Sequence, residues 1–360
     1  MSAPSIPNLL SLRGSGGRRG GRRGRGGHDS SASPSSPGQD ATIQGTDTDA
    51  ALSRLSAVEM GYLDDPFAWL FAPRPAPPVR RLPIINRGTY TRTTAIDAVV
   101  SHFLASTTTT PPTQRQIISL GAGTDTRALR LLASAQHPHL TYHELDFPLI
   151  ASRKLLSLRG APPALVSPVL TLPPHPSPGT TSWTATSPST PTSTLHCHGL
   201  DLRALRPSDP LPPGVDPALP TLLISECCLC YLLPGDAWAA VAHFSSRVRD
   251  LGAVLYEPVR PDDSFGQMMV ANLAARGIRM PTLDVFRTPG DQEERLRGVG
   301  FDEVRQMTVD AVWERWVGAE EKERVDGLEG LDEVEEWLLL AGHYIVVWGW
   351  RGRRMALPSG

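Results

Sequence analysis

The chain has 360 residues, of which 40% are hydrophobic and 20% charged, enough to bury a real core and to exclude a wholly disordered chain. Its formal net charge of −2 argues against a general nucleic-acid binder, because such proteins are usually basic overall. Four cysteines are too few for a disulfide scaffold, and no apolar run is long enough to span a membrane or to serve as a secretory signal. We therefore expect a cytoplasmic protein.

The first 47 residues have the composition of a disordered tail. Residues 14–27 read GSGGRRGGRRGRGG, and serine, proline and aspartate follow. Such a segment buries too little apolar surface to offset the entropy that it would lose on ordering. Weak RNA binding through this tail is the minor alternative to an inert or targeting tail, since the rest of the chain has no basic stripe. Residues 352–360 are predicted to form a short C-terminal tail.

Residues 48–351 alternate between short apolar strands and helices. Strands are predicted at residues 116–120, 141–145, 194–199, 222–225, 253–257, 304–309 and 344–350. Pro148 and Pro234 open two of the intervening helices, as suits the first helical turn. The alternation indicates βαβ units and predicts a doubly wound α/β fold with a mostly parallel, seven-stranded sheet. The last strand could run in either direction.

Three segments outside this alternation are expected to surround the sheet. Residues 172–194 are rich in proline, serine and threonine and are predicted to be a low-complexity surface insertion. Residues 48–106 precede the first strand and are predicted to form a helical cover over the site. The segment after the fifth strand is predicted to add a substrate lid, with a helix that opens near Phe265.

The first strand runs into Gly121-Ala122-Gly123, and a helix follows. Glycines there let a ligand approach the backbone closely, and the helix N-terminus offers free N–H groups. The second strand ends at Asp146, 23 residues after Gly123, where a carboxylate can accept hydrogen bonds from both hydroxyls of a ribose. Together these features favour a cofactor that contains adenosine.

The residues around the glycine turn favour S-adenosylmethionine (SAM) over NAD. Thr126 replaces the third glycine of the dinucleotide fingerprint, and Asp125 stands at the mouth of the helix. A carboxylate there would repel a diphosphate but attract the amino group and the adjoining sulfonium of SAM. The alternative role for Asp125 is a simple helix N-cap, which is compatible with either cofactor.

Several separated stretches resemble the leucine carboxyl methyltransferase family. They are GYLDDPF (61–67), INRGTYTR (85–92), SLGAGTDTR (119–127), ELDFP (144–148), SRK (152–154), LPTLLISEC (219–227) and YEPVRPDDSFGQMM (256–269). The similarity runs from about residue 47 to residue 351; the arginine–glycine tail and the long insertion at 172–194 depart from the family pattern. The resemblance implies a class I SAM-dependent methyltransferase fold. It also implies methyl esterification of the C-terminal leucine carboxylate of the protein phosphatase 2A catalytic subunit.

Carried onto this sequence, the resemblance implies a SAM site. Arg92 would hold the methionine carboxylate, and Arg54 would play a similar part. Gly121 and Gly123 would line the methionine portion of the cofactor. Asp146 would bind the ribose, in agreement with its place after the second strand.

The resemblance also implies contacts further along the chain. Asp201 and Leu202 would flank the adenine, with the carboxylate accepting from its amino group, and Glu226 would be a further cofactor contact. Tyr231, on the loop after the fourth strand, is a candidate to hydrogen-bond the acceptor carboxylate. Packing over the adenine or the core is its alternative role.

The chemistry of the expected reaction places few demands on titratable groups. A C-terminal carboxylate has a pKa of about 3.5, so it is ionised at pH 7 and methyl transfer requires no general base. No metal is expected either, because the donor is already activated by its positive charge. The enzyme would work mainly by positioning the reactants and by excluding water.

Two other functions stay open on the sequence alone. A related small-molecule or tRNA methyltransferase would leave a leucine-terminal peptide unmethylated. A non-catalytic SAM-binding adaptor would bind the cofactor without turnover, although the joint presence of Arg92, Gly121, Asp146 and Glu226 argues against it. Nothing in the sequence requires an oligomer, so we expect a monomer.

Overall fold

The computed structural model describes residues 37–73, 80–105, 114–174, 181–332 and 334–352. The strands are β1 (Arg115–Leu120), β2 (Leu140–Asp146), β3 (Trp183–Thr186), β4 (Thr194–Gly199), β5 (Thr221–Glu226), β6 (Leu251–Pro258), β7 (Glu303–Thr308) and β8 (Tyr344–Arg351). They form one sheet in the order β3-β4-β2-β1-β5-β6-β8-β7. The five strands from β4 to β6 in this order are parallel, whereas β8 is antiparallel to both of its neighbours.

Helices cover both faces of the sheet. They are α1 (Pro37–Glu59), α2 (Pro83–Ala105), α3 (Arg127–Ser134), α4 (Pro148–Arg159), α5 (Pro163–Val166), α6 (Pro234–Ser245), α7 (Ser264–Ala275), α8 (Pro289–Gly298), α9 (Val309–Trp316), α10 (Ala319–Asp326) and α11 (Val334–Gly342). Two hydrophobic clusters separate the sheet from these helices. Ile117 and Ile118, neighbours on β1, belong to different clusters, because successive strand side chains point to opposite faces.

The predicted doubly wound, mostly parallel fold is confirmed, but the strand count of seven was wrong. The eighth strand, β3, lies within residues 172–194, which were predicted to be a surface loop. Trp183 and Ala185 are buried and alternate with exposed residues, and Trp183 Nε1 donates to the carbonyl of Ala151 at 3.0 Å. The run is an edge strand of only four residues, so the surrounding proline, serine and threonine hide its alternation in the sequence.

The helix α1 begins at Pro37, so it includes residues 37–47, which were predicted to belong to the tail. Residues 37–47 contain two glycines and few apolar residues, which explains why the sequence reads as a tail. The helix is held by tertiary contacts, as helices usually are; for example, Ser56 Oγ donates to Asn86 Oδ1 of α2 at 2.8 Å. The arginine–glycine stretch at residues 14–27 and most of the predicted C-terminal tail lie outside the described residues.

A stack of three histidines lies on one side of the sheet. His143 of β2 lies beside His196 and His198 of β4, with ring planes within 15° of parallel. The His143 Nδ1 and His198 Nε2 atoms are 3.0 Å apart. Burial, together with the charges that its two neighbours would carry, lowers the pKa of His143 to about 2, so the ring stays neutral.

No helix in the described part of the chain combines the length and the apolar character that crossing a bilayer requires.

Candidate active site

A cavity of about 570 Å³ lies at the carboxyl ends of the central strands. This is the edge of an open α/β sheet where ligands usually bind. One wall is α1, the second is the turn after β1, and the third is the segment after β5. All of the site residues predicted from the sequence line it: Arg54, Arg92, Gly121, Gly123, Asp146, Asp201, Leu202, Glu226 and Tyr231. The structure therefore brings the complete predicted set together.

The turn after β1 requires glycine at both of its glycine positions. Gly121 and Gly123 have φ angles of +63° and +49°, which other residues rarely adopt. A Cβ atom at Gly121 would also collide with the thiol of Cys228, and one at Gly123 would collide with the carboxylate of Asp47. Protein side chains therefore approach this backbone closely.

Two carboxylates occupy the backbone N–H groups of this turn. Asp146 Oδ2 accepts from the amide of Gly123 at 2.7 Å, and Asp47 Oδ1 accepts from the amide of Thr124 at 2.7 Å. The hydroxyl of Thr124 donates to the same oxygen of Asp47 at 2.8 Å. In dinucleotide-binding folds these amides receive the diphosphate. The carboxylates of Asp146 and Asp47 therefore already occupy the amides that a diphosphate would need. Their negative charge disfavours the binding of NAD.

Both carboxylates titrate above their ordinary range. Burial raises the pKa of Asp146 to about 6, with a contribution from the charge of Asp47. Burial also raises the pKa of Asp47, against the hydrogen bonds from Thr124. Among the described residues, neither carboxylate has an arginine, lysine or histidine nitrogen within 4.0 Å. A cationic ligand in the cavity would thus meet two carboxylates that lack a cationic partner.

Asp125 precedes the N-cap residue of α3, which is Thr126, and binds the first residue of the helix. Its Oδ1 accepts from the amide of Arg127 at 2.9 Å, at the start of α3, and its Oδ2 pairs with the guanidinium of the same residue. Burial opposes ionisation of Asp125, but the combined positive charges of Arg127, Arg54, Arg130 and Lys154 outweigh it and lower the pKa. Because Asp125 is neutralised in this way, the negative charge offered to a ligand comes from Asp47 and Asp146 instead.

Each arginine predicted to hold the methionine carboxylate is paired with an acid. Arg92 Nε lies 2.8 Å from Glu226 Oε1, and Arg54 Nε donates to the buried Asp65. Asp65 also accepts from the hydroxyl of Thr126 at 2.5 Å. Because a guanidinium carries five N–H donors, one such pairing orients the side chain and leaves donors for a ligand carboxylate.

A chain of partly buried ion pairs joins these two arginines beneath the cavity. Its links are Glu226 Oε2 to Arg127 Nη2 at 3.5 Å, Arg127 Nε to Asp97 Oδ1 at 2.6 Å, Asp97 Oδ2 to Arg130 Nη1 at 2.8 Å, and Arg130 Nε to Asp65 Oδ2 at 4.0 Å. Both oxygens of Glu226 therefore face arginines, and its direct contact with the cofactor stays a prediction. Asp65, Asp97 and Arg130 were not predicted, since nothing in the sequence places them together.

The predicted adenine end of the cavity is built around Arg203. Asp201 Oδ1 accepts from the amide and the Nε of Arg203, both at 2.9 Å. The other two guanidinium nitrogens bind Asp40 of α1 at 2.8 and 3.0 Å. The guanidinium also lies 5.3 Å from the ring centroid of Phe147, and Leu202 is buried beside it. Asp40, Phe147 and Arg203 were not predicted, although Phe147 follows Asp146 directly.

Tyr231 ends a short 3₁₀ turn after β5 and is buried in the cavity wall. Its hydroxyl has no hydrogen-bond partner among the described residues. Burial raises its pKa well above the ordinary value, so the phenol stays protonated and can only act as a neutral donor or acceptor. A buried hydroxyl without a partner is costly.

This fold and this cavity define a class I SAM-dependent methyltransferase. The model of the family described as leucine carboxyl methyltransferase matches residues 42–244. The chain is 49% identical to leucine carboxyl methyltransferase 1 of Emericella nidulans, over 98% of this chain and 95% of that protein. It is 48% identical to the protein of the same name from Aspergillus fumigatus (97% and 94%) and 41% identical to that from Yarrowia lipolytica (86% and 97%).

The chain belongs to the leucine carboxyl methyltransferase family, and the resemblance found in the sequence is confirmed. It is a SAM-dependent enzyme. The match of the family model begins at residue 42, inside α1, which agrees with the structural finding that this helix is part of the domain.

Proposed function

We propose that this protein methylates the C-terminal leucine carboxylate of the protein phosphatase 2A catalytic subunit. The observation that carries the proposal is the side chain of Tyr231, which lines the same cavity as Arg92 and has a buried hydroxyl without a partner among the described residues. A neutral O–H donor suits one oxygen of an acceptor carboxylate without neutralising its charge.

The proposed reaction needs positioning and not proton transfer. When bound, SAM supplies a methyl group activated by its sulfonium. Tyr231 donates a hydrogen bond to one oxygen of the leucine carboxylate, and the other oxygen, already ionised at pH 7, attacks the methyl carbon in line. The new O–CH₃ bond forms as the S–CH₃ bond breaks, which leaves a methyl ester. The enclosing walls strip water from the carboxylate.

The other predicted residues take the following parts in this proposal. Arg92 and Arg54 bind the carboxylate of the cofactor, Gly121 and Gly123 line its methionine portion, Asp146 binds the ribose, Asp201 and Leu202 flank the adenine, and Glu226 orients Arg92. The fit is supported by the position of the glycine turn at the cavity and by Arg92, whose pairing with Glu226 leaves N–H groups for a ligand carboxylate.

The charge of the cavity wall favours this acceptor over a tRNA. The residues that line the cavity include seven acids and four arginines. A polyphosphate needs a basic surface, whereas a single carboxylate needs only the local donors described above.

The test combines the purified protein, labelled SAM and the phosphatase catalytic subunit, either intact or without its last leucine. Label should appear only on the intact subunit; equal labelling of both would exclude the leucine carboxylate as the acceptor. Tyr231→Phe should lower turnover and leave SAM affinity intact. Tyr256→Phe is the matched control, because its hydroxyl is equally buried and without a partner among the described residues but does not line the cavity.

A further inference from the structure

Three residues of α1 project polar groups along the cavity. Asp40, Asp47 and Arg54 are spaced seven residues apart, which is about two helical turns or about 10 Å per interval, and all three line the cavity. Asp40 meets Arg203 at the predicted adenine end, and Arg54 belongs to the arginine pair predicted to hold the cofactor carboxylate. Asp47 therefore lies between the two ends of the site.

Asp47 differs from the neighbouring acids of α1 in its partners. Asp40 binds Arg203 at 2.8 Å, and Asp49 binds Arg276 at 2.7 Å. Asp47 receives hydrogen bonds only from the uncharged groups of Thr124, and no cationic nitrogen of the described chain lies within 4.0 Å of it.

The charged groups nearest to Asp47 do not compensate it. Asp146 accepts from the adjacent amide of the same turn and adds a second negative charge. Lys154 of α4 is engaged by Glu144 at 2.7 Å and by the carbonyl of Asp125 at 2.8 Å. Arg153 acts on Asp47 only at longer range. The cavity thus contains a pair of carboxylates, Asp47 and Asp146, whose negative charges a cationic ligand would compensate.

We propose that Asp47, together with Asp146, makes the cavity select the cationic donor SAM over its product S-adenosylhomocysteine, which carries one positive charge less. The adenosine, amino and carboxylate groups are common to both molecules, so only the sulfonium distinguishes them electrostatically. A carboxylate pair in a low-dielectric cavity stabilises that extra charge. Methyl transfer removes the sulfonium charge, so the cavity binds the product S-adenosylhomocysteine less tightly. The product is then more readily exchanged for SAM.

The test is calorimetric binding of SAM, sinefungin and S-adenosylhomocysteine to the wild type and to Asp47→Asn. Sinefungin carries an ammonium group in place of the methylsulfonium, so it reports charge without transferring a methyl group. The introduced asparagine side chain keeps an acceptor oxygen for the amide of Thr124, so α1 should remain docked. We expect SAM and sinefungin to bind about ten-fold more weakly and the product less than about three-fold more weakly.

The outcomes separate a charge effect from a structural one. Equal weakening of all three ligands would show that Asp47 only ties α1 to the glycine turn, and unchanged binding would show that it has no role; either result overturns the proposal. Asp49→Asn is the matched control, because Asp49 lies on α1 and binds an arginine but does not line the cavity. It should not change the ratio of SAM to product affinity. The inference rests on the cofactor alone, so its failure would leave the leucine acceptor untouched.

Discussion

Arg92 Nε lies 2.8 Å from Glu226 Oε1, so the arginine predicted to hold the cofactor carboxylate is itself held by an acid at the end of β5. The second oxygen of Glu226 lies 3.5 Å from Arg127, whose side chain is almost completely buried. One carboxylate thus orients one cavity arginine and compensates another beneath the cavity floor. Its removal would leave two buried guanidinium groups with less compensation.

Glu226→Gln should therefore weaken SAM binding about ten-fold and lower the free energy of unfolding by about 2 kcal/mol, less than for a fully enclosed pair because the Glu226 side chain is 22% exposed. Calorimetry and urea denaturation measure the two effects. Glu329→Gln is the control, since Glu329 is buried and pairs with Arg80 away from the cavity. It should lose stability and keep its SAM affinity; equal loss of affinity in both variants would contradict the specific role of Glu226.

Arg203→Met should weaken SAM and S-adenosylhomocysteine to the same extent, by about ten-fold. The substitution breaks the link between Asp40 of α1 and Asp201, which lies at the end of the cavity assigned to the adenine that both ligands share. The measurement is binding of each ligand to each variant. Arg287→Met, which removes an exposed pair with Asp262 and a hydrogen bond to the carbonyl of Asp284 outside the cavity, should change neither affinity. A selective loss of SAM in Arg203→Met would be inconsistent with an adenine-end role.

The preference for SAM over its product should decline as the pH falls below about 6. Burial raises the pKa of Asp146 to about 6 and also raises that of Asp47, with Lys154 as the nearest opposing charge. The ionised carboxylates bind the cation, so protonation removes the preference, and SAM binding near pH 6 should release protons. Calorimetry at pH 5.5 and 7.5, in two buffers of different ionisation enthalpy, measures both. A constant affinity ratio would count against this prediction.

The histidine stack should make the fold sensitive to acid. His143 is neutral when folded, because its pKa is lowered to about 2, but takes up a proton when unfolded below about pH 6.5. Its contribution to stability is complete above pH 6.5 and declines as the pH falls towards the folded value. Between pH 7 and 5 the wild type should lose about 2 kcal/mol more than His143→Gln in urea denaturation. His102→Gln, on the exposed end of α2, should behave like the wild type.

The glycine turn and Asp146 could be predicted from the sequence because their roles follow from position alone. A strand that ends in Gly-x-Gly, and an acid at the end of the next strand, meet at one edge of any parallel sheet. Asp47 could not be predicted in this way. Its helix lacks an apolar stripe and is stabilised by contacts with distant segments, so its sequence resembles a tail.

The ion-pair partners of the charged side chains also could not be predicted from the sequence. Asp125 stands two residues before Arg127, but only the structure shows that the two neutralise each other. The same holds for Asp201, whose carboxylate is shared with Arg203. Likewise, β3 could not be predicted because the surrounding residues are rich in proline, serine and threonine. Its two buried residues are nevertheless enough to extend the sheet.

The position of α1 has a consequence for the order in which the chain folds during synthesis. This helix precedes every strand in the chain, and its partners Arg203 and Arg276 follow 163 and 227 residues later than Asp40 and Asp49. Closing such long loops is entropically slow, so the contacts of Asp40 and Asp49 form only after most of the sheet has been translated, although Ser56 can meet Asn86 of α2 earlier. A nascent chain that lacks the segments with Arg203 and Arg276 has an open cavity. SAM then contacts only some of the elements that form the walls of the finished site. Assembly of the wall is therefore the last step by which the newly made enzyme becomes competent to bind its donor.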